Sequence, residues 1–379
     1  TRIEGLLRDR HGLKYDGSKD DFEVQNQAEF LSSLTSVTNM LTYFLASIAG
    51  ISLLLPDPDL FLYSFVRKEA LLSSQIEGTQ SSLSDLLLFE LDELPGVPVD
   101  DVEEVSNYVA AMQHGLQRIR EDFPLSLRLL REMHERLLAG GRGATKTPGE
   151  FRTGQNWIGG RSPSTARFVP PPPDHLADCL TGFERFLHTP REEMPPLLKA
   201  ALAHVQFETI HPFNDGNGRL GRLLIALLLC HDEVLRQPSL YLSLFFKTRR
   251  EAYFEHLQQV RVTGDWEGWL QFFLEGVEVT SNQAVTTAQR TLALFGTDRL
   301  KLAGMPASVQ RVFEDLTKRP VQSVPKLQQR LGMTSPTVRT AIRQLAELEI
   351  VNEITGQQRN RIYVYDQYYQ LLAEGAQPL

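Results

Sequence analysis

The chain has 379 residues, which is too long for one ordinary hydrophobic core and predicts two or three domains. Hydrophobic residues make up 42% and charged residues 23%, the balance of a soluble globular protein. Cys179 and Cys230 lie far apart, which excludes a disulfide framework and a cysteine-rich zinc site and favours a reducing, cytoplasmic location. The net charge of −8 excludes a globally basic nucleic-acid binder. The longest apolar run, Leu223 to Cys230, is too short to cross a bilayer, so we expect no membrane association.

Apolar residues recur at helical spacing through most of the chain, which predicts a mainly α-helical protein. The helices predicted up to residue 300 are Glu29 to Ile51, Phe61 to Ile76, Asp101 to Arg120, Ser126 to Leu138, Leu176 to Leu187, Pro196 to Ile210, Arg219 to Leu229, Arg249 to Arg261 and Trp266 to Phe295. The interval 149–173 departs from that pattern with a Gly-Gly pair, short β-prone flanks and four consecutive prolines. It predicts a small hairpin followed by an extended, stiff segment.

The positive charge of the chain is concentrated near its end. Residues 301–366 contain ten Lys or Arg and six Asp or Glu, a surplus of about four positive charges, so the remainder carries about −12. Gly304 and Pro306 stand at the junction as helix breakers. This asymmetry predicts that the basic tail is a separate unit.

The densest group of chemically distinctive residues is the stretch from His211 to Arg222, HPFNDGNGRLGR. Its glycines fit GxGxxG, but the residues before it are helical and no acid follows near Pro238, which excludes a dinucleotide-binding fold. The glycines still let a ligand approach the N–H groups at the mouth of the next helix. Arg219 and Arg222 share one face of its first turn, where two cations suit a bound polyphosphate.

Two further residues of this stretch have side chains suited to catalysis. Asp215, directly before the glycines, suits a Mg²⁺ ion that takes one carboxylate together with phosphate oxygens. His211 ends the preceding helix, and imidazole is the usual general base at neutral pH. Taken singly, the histidine, the turn residues and the arginines all have ordinary structural roles, and Phe213 is interpreted as a core anchor. Their occurrence together within twelve residues indicates a site.

The stretch from His211 to Arg222 matches HxFx(D/E)GNGRxxR, the signature of the Fic family, at every defined position, and the chain resembles that family. The resemblance implies a Fic-type helical core that transfers AMP from ATP to a Ser, Thr or Tyr hydroxyl of a target protein. His211 would be the catalytic base, and Asp215 would bind Mg²⁺. The loop residues Gly216, Asn217 and Gly218, together with Arg219, would hold the α- and β-phosphates of ATP. Arg222 would hold the γ-phosphate.

A second motif precedes the signature. The run from Ser73 to Gly78, SSQIEG, matches the Fic inhibitory pattern (S/T)xxxE(G/N). The resemblance implies that Glu77 pairs with Arg222, blocks the γ-phosphate seat and so restrains the enzyme from within its own chain. Glu77 also lies in the last turn of a predicted helix, with Gly78 as its C-cap. An isolated glutamate is more often a solvated surface residue.

The predicted hairpin begins with Gly149-Glu150-Phe151-Arg152, and in Fic proteins a β-hairpin flap lies before the signature. By this resemblance the flap would align a segment of the target protein as an added strand, with main-chain pairing that makes little demand on sequence. The alternative is an ordinary surface hairpin with Trp157 packed beneath it.

The basic tail resembles a winged-helix domain. Its predicted elements are helices over Ser308 to Lys318, Val324 to Leu331 and Ser335 to Leu348, and strands over Ile350 to Ile354 and Arg361 to Tyr365. The side chains expected to face outward on the recognition helix and the wing are Ser335, Thr337, Arg339, Thr340, Arg343, Arg359 and Arg361. Such a domain serves either DNA binding or protein docking, and both remain open.

The sequence thus predicts a self-restrained protein adenylyltransferase in three parts. They are an N-terminal helical region with the inhibitory helix (1–95), a Fic catalytic core (96–300) and a winged-helix domain (301–379). One alternative is an enzyme that removes AMP from a modified protein with the same site, with Glu77 positioning water. Another is a DNA-binding regulator that uses the nucleotide site as a sensor. The resemblance further implies a homodimer.

Overall fold

A computed structural model describes residues 8–11, 59–91, 96–140, 143–357 and 360–378 of the chain. The predicted helix from Glu29 to Ile51 lies outside the described residues. Most described residues are helical, so the predicted mainly α-helical class is confirmed. The helices of six or more residues in this part of the chain are α1 Asp59–Ile76, α2 Leu83–Phe89, α3 Val99–Arg120, α4 Leu127–Leu137, α5 Pro173–Leu187, α6 Pro196–Ile210, α7 Asn217–His231, α8 Ser243–Thr248, α9 Arg250–Thr263, α10 Trp266–Lys301, α11 Ala307–Lys318, α12 Val324–Leu331, α13 Ser335–Glu347 and α14 Asp366–Ala373.

Helices α6 and α7 pack against each other at the centre of the main body. Both are apolar over most of their circumference, and 11 residues of α6 and 12 of α7 are buried, as expected for helices enclosed on all sides. The neighbouring α10 is tied to α6 through Trp269, whose indole N–H donates to the carbonyl of Ala201 at 3.0 Å. This pair of buried helices holds the His211 turn rigidly, since the turn joins the end of α6 to the start of α7.

Residues 306–364 form a small unit in the order α11, β1, α12, α13, β2 and β3. The strands β1 Val321–Ser323, β2 Asn352–Glu353 and β3 Ile362–Val364 form an antiparallel sheet in the order β1-β3-β2, with Val321 opposite Val364. The chain then returns in α14, which packs on α10 and α1. The Tyr368 hydroxyl lies 3.0 Å from the Ser64 hydroxyl of α1, so the end of the chain contacts the helix that bears the inhibitory pattern.

Between residues 149 and 173 the chain is mostly irregular. Ile158 and Phe168 form an isolated antiparallel bridge, with both backbone N–H groups donating across it, and a 3₁₀ turn at Pro163–Thr165 lies between them. Gly159 and Gly160 have φ of +69° and +75°, values that favour glycine and bend the chain away from an extended ladder.

The two cysteines are unpaired, as predicted. In the described part of the chain, every helix is too short or too polar to cross a membrane.

Candidate active site

The His211 turn reverses the chain between the two central helices. His211 caps α6 with a left-handed backbone (φ 49°) and its N–H donates to the Phe207 carbonyl at 2.9 Å. Gly216, also left-handed at φ 73°, is the N-cap of α7. A left-handed histidine is uncommon, and such conformations persist only where the surrounding structure enforces them. The predicted helix end near Ile210 and start near Asn217 are both observed.

Two carboxamides, one buried and one partly buried, enforce the turn. The Asn217 side chain accepts from the Phe213 N–H at 2.9 Å and donates to the Phe213 carbonyl at 2.8 Å. The Asn156 amide donates to the carbonyls of His211 at 3.1 Å and Phe213 at 3.0 Å. Asn217, predicted as a nucleotide-binding residue, therefore uses its side chain on its own loop, and its backbone N–H is the group left for a ligand. Phe213 is fully buried, as its interpretation as a core anchor predicts.

Arg152, in the irregular segment 149–173, supports the turn from another side. Its Nε donates to the His211 carbonyl at 2.9 Å, and its backbone N–H donates to the Pro212 carbonyl at 2.9 Å. The guanidinium is 2% exposed although it is a charged group, so its burial is compensated by these carbonyls. Sequence reasoning singled out Arg152 only as part of the hairpin start, because its partners lie about sixty residues away.

His134 of α4 supports the other end of the turn. The Gly149 N–H donates to His134 Nδ1 at 2.9 Å, which leaves the proton on Nε2, and Nε2 lies 3.0 Å from the Asp215 carbonyl to which it donates. Burial lowers the pKa of His134 to about 4, so the ring is neutral. It stacks on Phe213 with ring centroids 3.7 Å apart. Sequence reasoning missed His134, although a histidine on the apolar face of an amphipathic helix was a signal for it.

The two signature arginines have different partners. Arg219, 5% exposed, contacts Glu104 of α3 at 3.1 Å and lies 3.8 Å from the Asp215 carboxylate. Arg222 is 1% exposed and donates from Nε to the Ser73 hydroxyl at 2.9 Å and from NH2 to the Ser73 carbonyl at 3.0 Å. Both guanidiniums are therefore directed by α1 and α3 toward the mouth of α7. Glu104 was not predicted, since nothing near it in the sequence marks it.

Glu77 reaches into the same mouth. Its Oε1 accepts from Arg222 NH2 at 2.6 Å, the pairing that the sequence predicts. The carboxylate lies directly over Gly218, where an added Cβ would come within 2.2 Å of Oε1. Burial acts to raise the pKa of Glu77, but the charges of Arg222 and Arg219 and the Arg222 hydrogen bond hold it below its usual value. The carboxylate is therefore charged at neutral pH and lies against the Arg222 guanidinium at the N-terminal end of α7.

His211 faces a largely desolvated environment. Its side chain is 20% exposed, and Nδ1 lies 3.9 Å from Glu208 Oε2, one turn back on α6. Burial, together with the charge of Arg261, lowers the pKa of His211 to about 4. Burial likewise raises the pKa of Glu208 to about 7. Gly221 provides room for this carboxyl, because a Cβ there would lie 2.7 Å from Glu208 Oε1.

Asp215 is the most accessible acidic group at the turn. Its side chain is 44% exposed, and Oδ1 accepts from the Gly216 N–H at 2.6 Å. Within the part of the chain that the structure describes, no three His, Cys, Asp or Glu side chains are grouped closely enough to hold a metal ion by themselves. A cation here would need oxygen ligands from another molecule, such as phosphates.

Two family models match the chain around this site. Residues 42–117 match the Fic/DOC family N-terminal model, and residues 124–229 match the Fic/DOC family model. The chain is therefore similar to the Fic/DOC family over these two segments. The Fic match contains the whole His211 turn and the segment 149–173, and the N-terminal match contains the run from Ser73 to Gly78.

Curated relatives and a solved structure show the same similarity. The protein adenylyltransferase Fic of Culex quinquefasciatus is 32% identical over 210 residues, which are 54% of this chain and 39% of that protein. The protein of the same name from Drosophila ananassae is 30% identical over 208 residues. The chain thus spans about two fifths of the length of these relatives. A Fic family protein from Desulfovibrio desulfuricans has the same fold, with a TM-score of 0.55, 20% identity and coverage of 91% of this chain and 98% of that one.

Proposed function

We propose that the Fic domain transfers AMP from ATP to a Ser, Thr or Tyr hydroxyl of a target protein, and that Glu77 restrains this reaction. The observation that carries the proposal is the meeting of His211, the glycine-rich mouth of α7 and two buried arginines around one anion seat, filled by the Glu77 carboxylate. The relatives named protein adenylyltransferases support the reaction class.

His211 is suited to be the general base. Its lowered pKa keeps the imidazole neutral and able to accept a proton at neutral pH. In the proposed step the target hydroxyl loses its proton to His211 and its oxygen bonds to the α-phosphorus. The bond from that phosphorus to the bridging oxygen breaks, and pyrophosphate leaves with the electron pair.

The mouth of α7 is suited to hold the nucleotide phosphates. The N–H groups of Asn217, Gly218 and Arg219 in the first turn have no carbonyl partners within the helix, and they lie at the positive end of its dipole. Arg219, oriented by Glu104, adds a positive charge for the α- and β-phosphates. Asp215 fits Mg²⁺ because it offers a half-exposed carboxylate beside this seat. A bound Mg²⁺ would neutralise charge on the phosphates.

The proposed restraint follows from competition for Arg222. The resemblance assigns this guanidinium to the γ-phosphate, and the Glu77 carboxylate holds it in the structure at 2.6 Å. A second anion cannot enter without repulsion between the two negative charges in a partly desolvated site. ATP would bind in its productive position only when Glu77 withdraws.

We further propose that residues 156–169 dock the target. Trp157 and Val169, at the ends of the Ile158–Phe168 bridge, are 40% and 42% exposed, so Trp157 does not pack beneath the segment as in an ordinary hairpin. Exposed apolar side chains beside short extended backbone suit the addition of a target strand.

We also propose that residues 306–364 are a winged helix. The order of helices and strands and the β1-β3-β2 sheet support this, with α13 as the recognition helix. Arg339, Thr340 and Arg343 of α13 are exposed, and so is Arg361, whereas Ser335 and Thr337 are half-buried and Arg359 lies outside the described residues.

Incubation with ATP labelled at the α-phosphate tests transfer and restraint together. We expect Glu77→Gly to incorporate far more label than the wild type, because ATP no longer competes with a carboxylate for Arg222. Adding His211→Ala should lower incorporation by about 10²–10⁴-fold through loss of the base.

The control is ATP labelled at the γ-phosphate, which should leave the protein unlabelled. Equal labelling of the wild type and Glu77→Gly contradicts the restraint. Label from the γ-phosphate, or full activity without His211, contradicts AMP transfer by this mechanism. Release of AMP from a pre-labelled protein by the wild type, lost in Glu77→Gly, would favour the alternative of AMP removal.

A further inference from the structure

We propose that a cavity whose lining shares no residue with the His211 turn binds a small organic monocarboxylate. The cavity has a volume of about 470 Å³ and lies where α1, α8, α10 and the end of α14 meet. This volume is within the usual range for small-molecule sites. Nothing in the proposed AMP transfer uses this cavity.

The ammonium group of Lys68 is the main reason for the proposal. Lys68 lines the cavity although its side chain is 3% exposed, and its Nζ lies 4.6 Å from the centroid of the Tyr241 ring. Among the described residues, no carboxylate lies within 4.0 Å of Nζ and no hydrogen-bond acceptor is paired with it. Burial lowers the pKa of Lys68 to about 8, partly offset by the charge of Glu374, so the amine is still mostly protonated at neutral pH. A buried charge without a direct counter-ion is costly, and a bound anion would offset that cost.

The other charges around the cavity are already compensated. Arg249 pairs with Glu275 at 2.6 Å, and Arg290 pairs with Glu374 at 2.8 Å. Lys68 is therefore the cation without a close partner among the described residues that line this cavity. One uncompensated positive charge matches a carboxylate, whereas a phosphate dianion would bring a negative charge in excess.

The rest of the lining suits an apolar body behind the carboxylate. Tyr241, Leu244, Phe245 and Val279 supply aromatic and aliphatic walls. At the rim, the exposed carboxamides of Asn282 and Gln283 offer hydrogen-bond donors to a second carboxylate oxygen or a substituent. An aromatic or branched aliphatic acid would place its charged end near Lys68 and bury its body against the rings.

Occupancy of the cavity would also bear on α1. Lys68 lies in α1, and Glu77 directly follows the end of that helix. The chain after α14 forms both a wall of the cavity and a contact with the last turn of α1, since Gln75 Nε2 donates to the Ala376 carbonyl at 3.0 Å. A ligand that joins Lys68 to α8 and α10 would hold α1 in place. This consequence for the restraint rests on the proposed function, but binding of the acid does not.

Titration of the full-length chain with 4-fluorobenzoate, followed by ¹⁹F NMR, tests the site. We expect saturable binding to the wild type that persists in the presence of saturating Mg²⁺-ATP, which separates this site from the nucleotide seat. Lys68→Met should weaken binding by about tenfold or more. Asn282→Leu should weaken it less, and because Asn282 is exposed this variant tests the site without disturbing the core.

Neutral 4-fluorobenzamide is the matched control ligand. It should bind the wild type more weakly than the acid does, whereas Lys68→Met should not bind the acid more tightly than the amide. The proposal is overturned by absence of binding at about 10 mM acid, by competition with ATP, or by equal affinity in a folded Lys68→Met protein. Hydrogen exchange of α1 amides should slow on binding. Binding without that slowing would contradict the link to α1, and neither result depends on whether the chain transfers AMP.

Discussion

Burial disfavours the charged form of two ionisable side chains at the proposed reaction site. His211 has a lowered pKa of about 4, and its neighbour Glu208 has a raised pKa of about 7, with His211 Nδ1 and Glu208 Oε2 3.9 Å apart. Removal of water disfavours the charged form of each, which shifts a base downward and an acid upward. At slightly acidic pH both are thus uncharged, although free imidazole would be half protonated near pH 6.5.

This environment predicts an unusual pH profile. In Glu77→Gly, the rate of AMP transfer should not show the fall between about pH 7 and 6 that an ordinary histidine base gives, since the neutral imidazole persists to lower pH. Initial rates from about pH 5.5 to 8 would test this. Glu208 can itself cause a change near pH 7, so the same scan on Glu77→Gly/Glu208→Gln is the control. A fall centred near pH 6.5 in the double variant would contradict the lowered pKa of His211.

At the scale of elements, the last turn of α1 determines where Glu77 points. The Thr79 N–H donates to the Ser74 carbonyl at 3.3 Å and the Gly78 N–H to the Gln75 carbonyl at 3.1 Å, a closure typical of a helix that ends on glycine. Gly78 has φ of +103°, a conformation that other residues rarely adopt. The C-cap predicted from the sequence is therefore observed, and it turns the chain away directly after Glu77.

Replacement of this glycine should loosen the restraint. Gly78→Ala has open space around its Cβ, so its penalty is backbone strain of about 1–2 kcal/mol in the free energy of unfolding. We expect AMP transfer between that of the wild type and that of Glu77→Gly, because the strained turn displaces the Glu77 carboxylate. Chemical denaturation and α-labelled ATP would measure the two effects.

Gly182→Ala is the matched control for this prediction. It also has open space around the added Cβ, but it lies within α5 at ordinary helical φ, so it should stabilise the chain by about 0.5–1 kcal/mol and leave activity unchanged. If Gly78→Ala matched Gly182→Ala in both stability and AMP transfer, the conformation of the last turn of α1 would not determine the position of the Glu77 carboxylate.

At the scale of the whole molecule, charge is distributed unevenly between two units that are in contact. The region 301–366 carries about +4 while the rest carries about −12. Helix α11 of the basic region nevertheless packs on α1, and the Arg319 guanidinium lies 5.6 Å from the centroid of the Tyr63 ring of α1. A partner that binds the basic unit would therefore act on a part of the molecule in contact with α1, the helix that Glu77 directly follows.

In a gel-shift assay we expect the full chain to bind a short mixed-sequence DNA duplex at low salt, and we expect its affinity to fall steeply as the salt concentration rises. Arg339→Ala/Arg343→Ala should weaken binding and reduce the salt slope by about one to two, since both side chains are exposed on α13. Arg136→Ala/Arg185→Ala, two exposed arginines of the acidic body, removes the same charge as a control. No shift at low salt, or equal weakening by both pairs, would contradict DNA binding through α13 and favour protein docking.

Local sequence patterns determined the helical class and most helix positions, because backbone hydrogen bonds and apolar periodicity within a helix involve near neighbours. Pro196–Ile210 and Val324–Leu331 have the predicted bounds. Short elements were missed: α2 and α8 span too few turns to show a period, and β1 forms only by pairing with β3, far along the chain. The predicted strands were also longer than β2 and β3, since pairing rather than propensity sets their length.

The signature and the inhibitory pattern were readable because each is compact in sequence. The sequence alone therefore determined which residues gather at the turn and that Glu77 pairs with Arg222. Only the tertiary structure decided how they are held: Arg152, Asn156, His134 and Glu104 act on carbonyls and guanidiniums far away in the chain, and Lys68 faces a cavity that four separate segments enclose. Burial and long-range pairing set the charge state and direction of a side chain, and neither is a property of its neighbours in sequence.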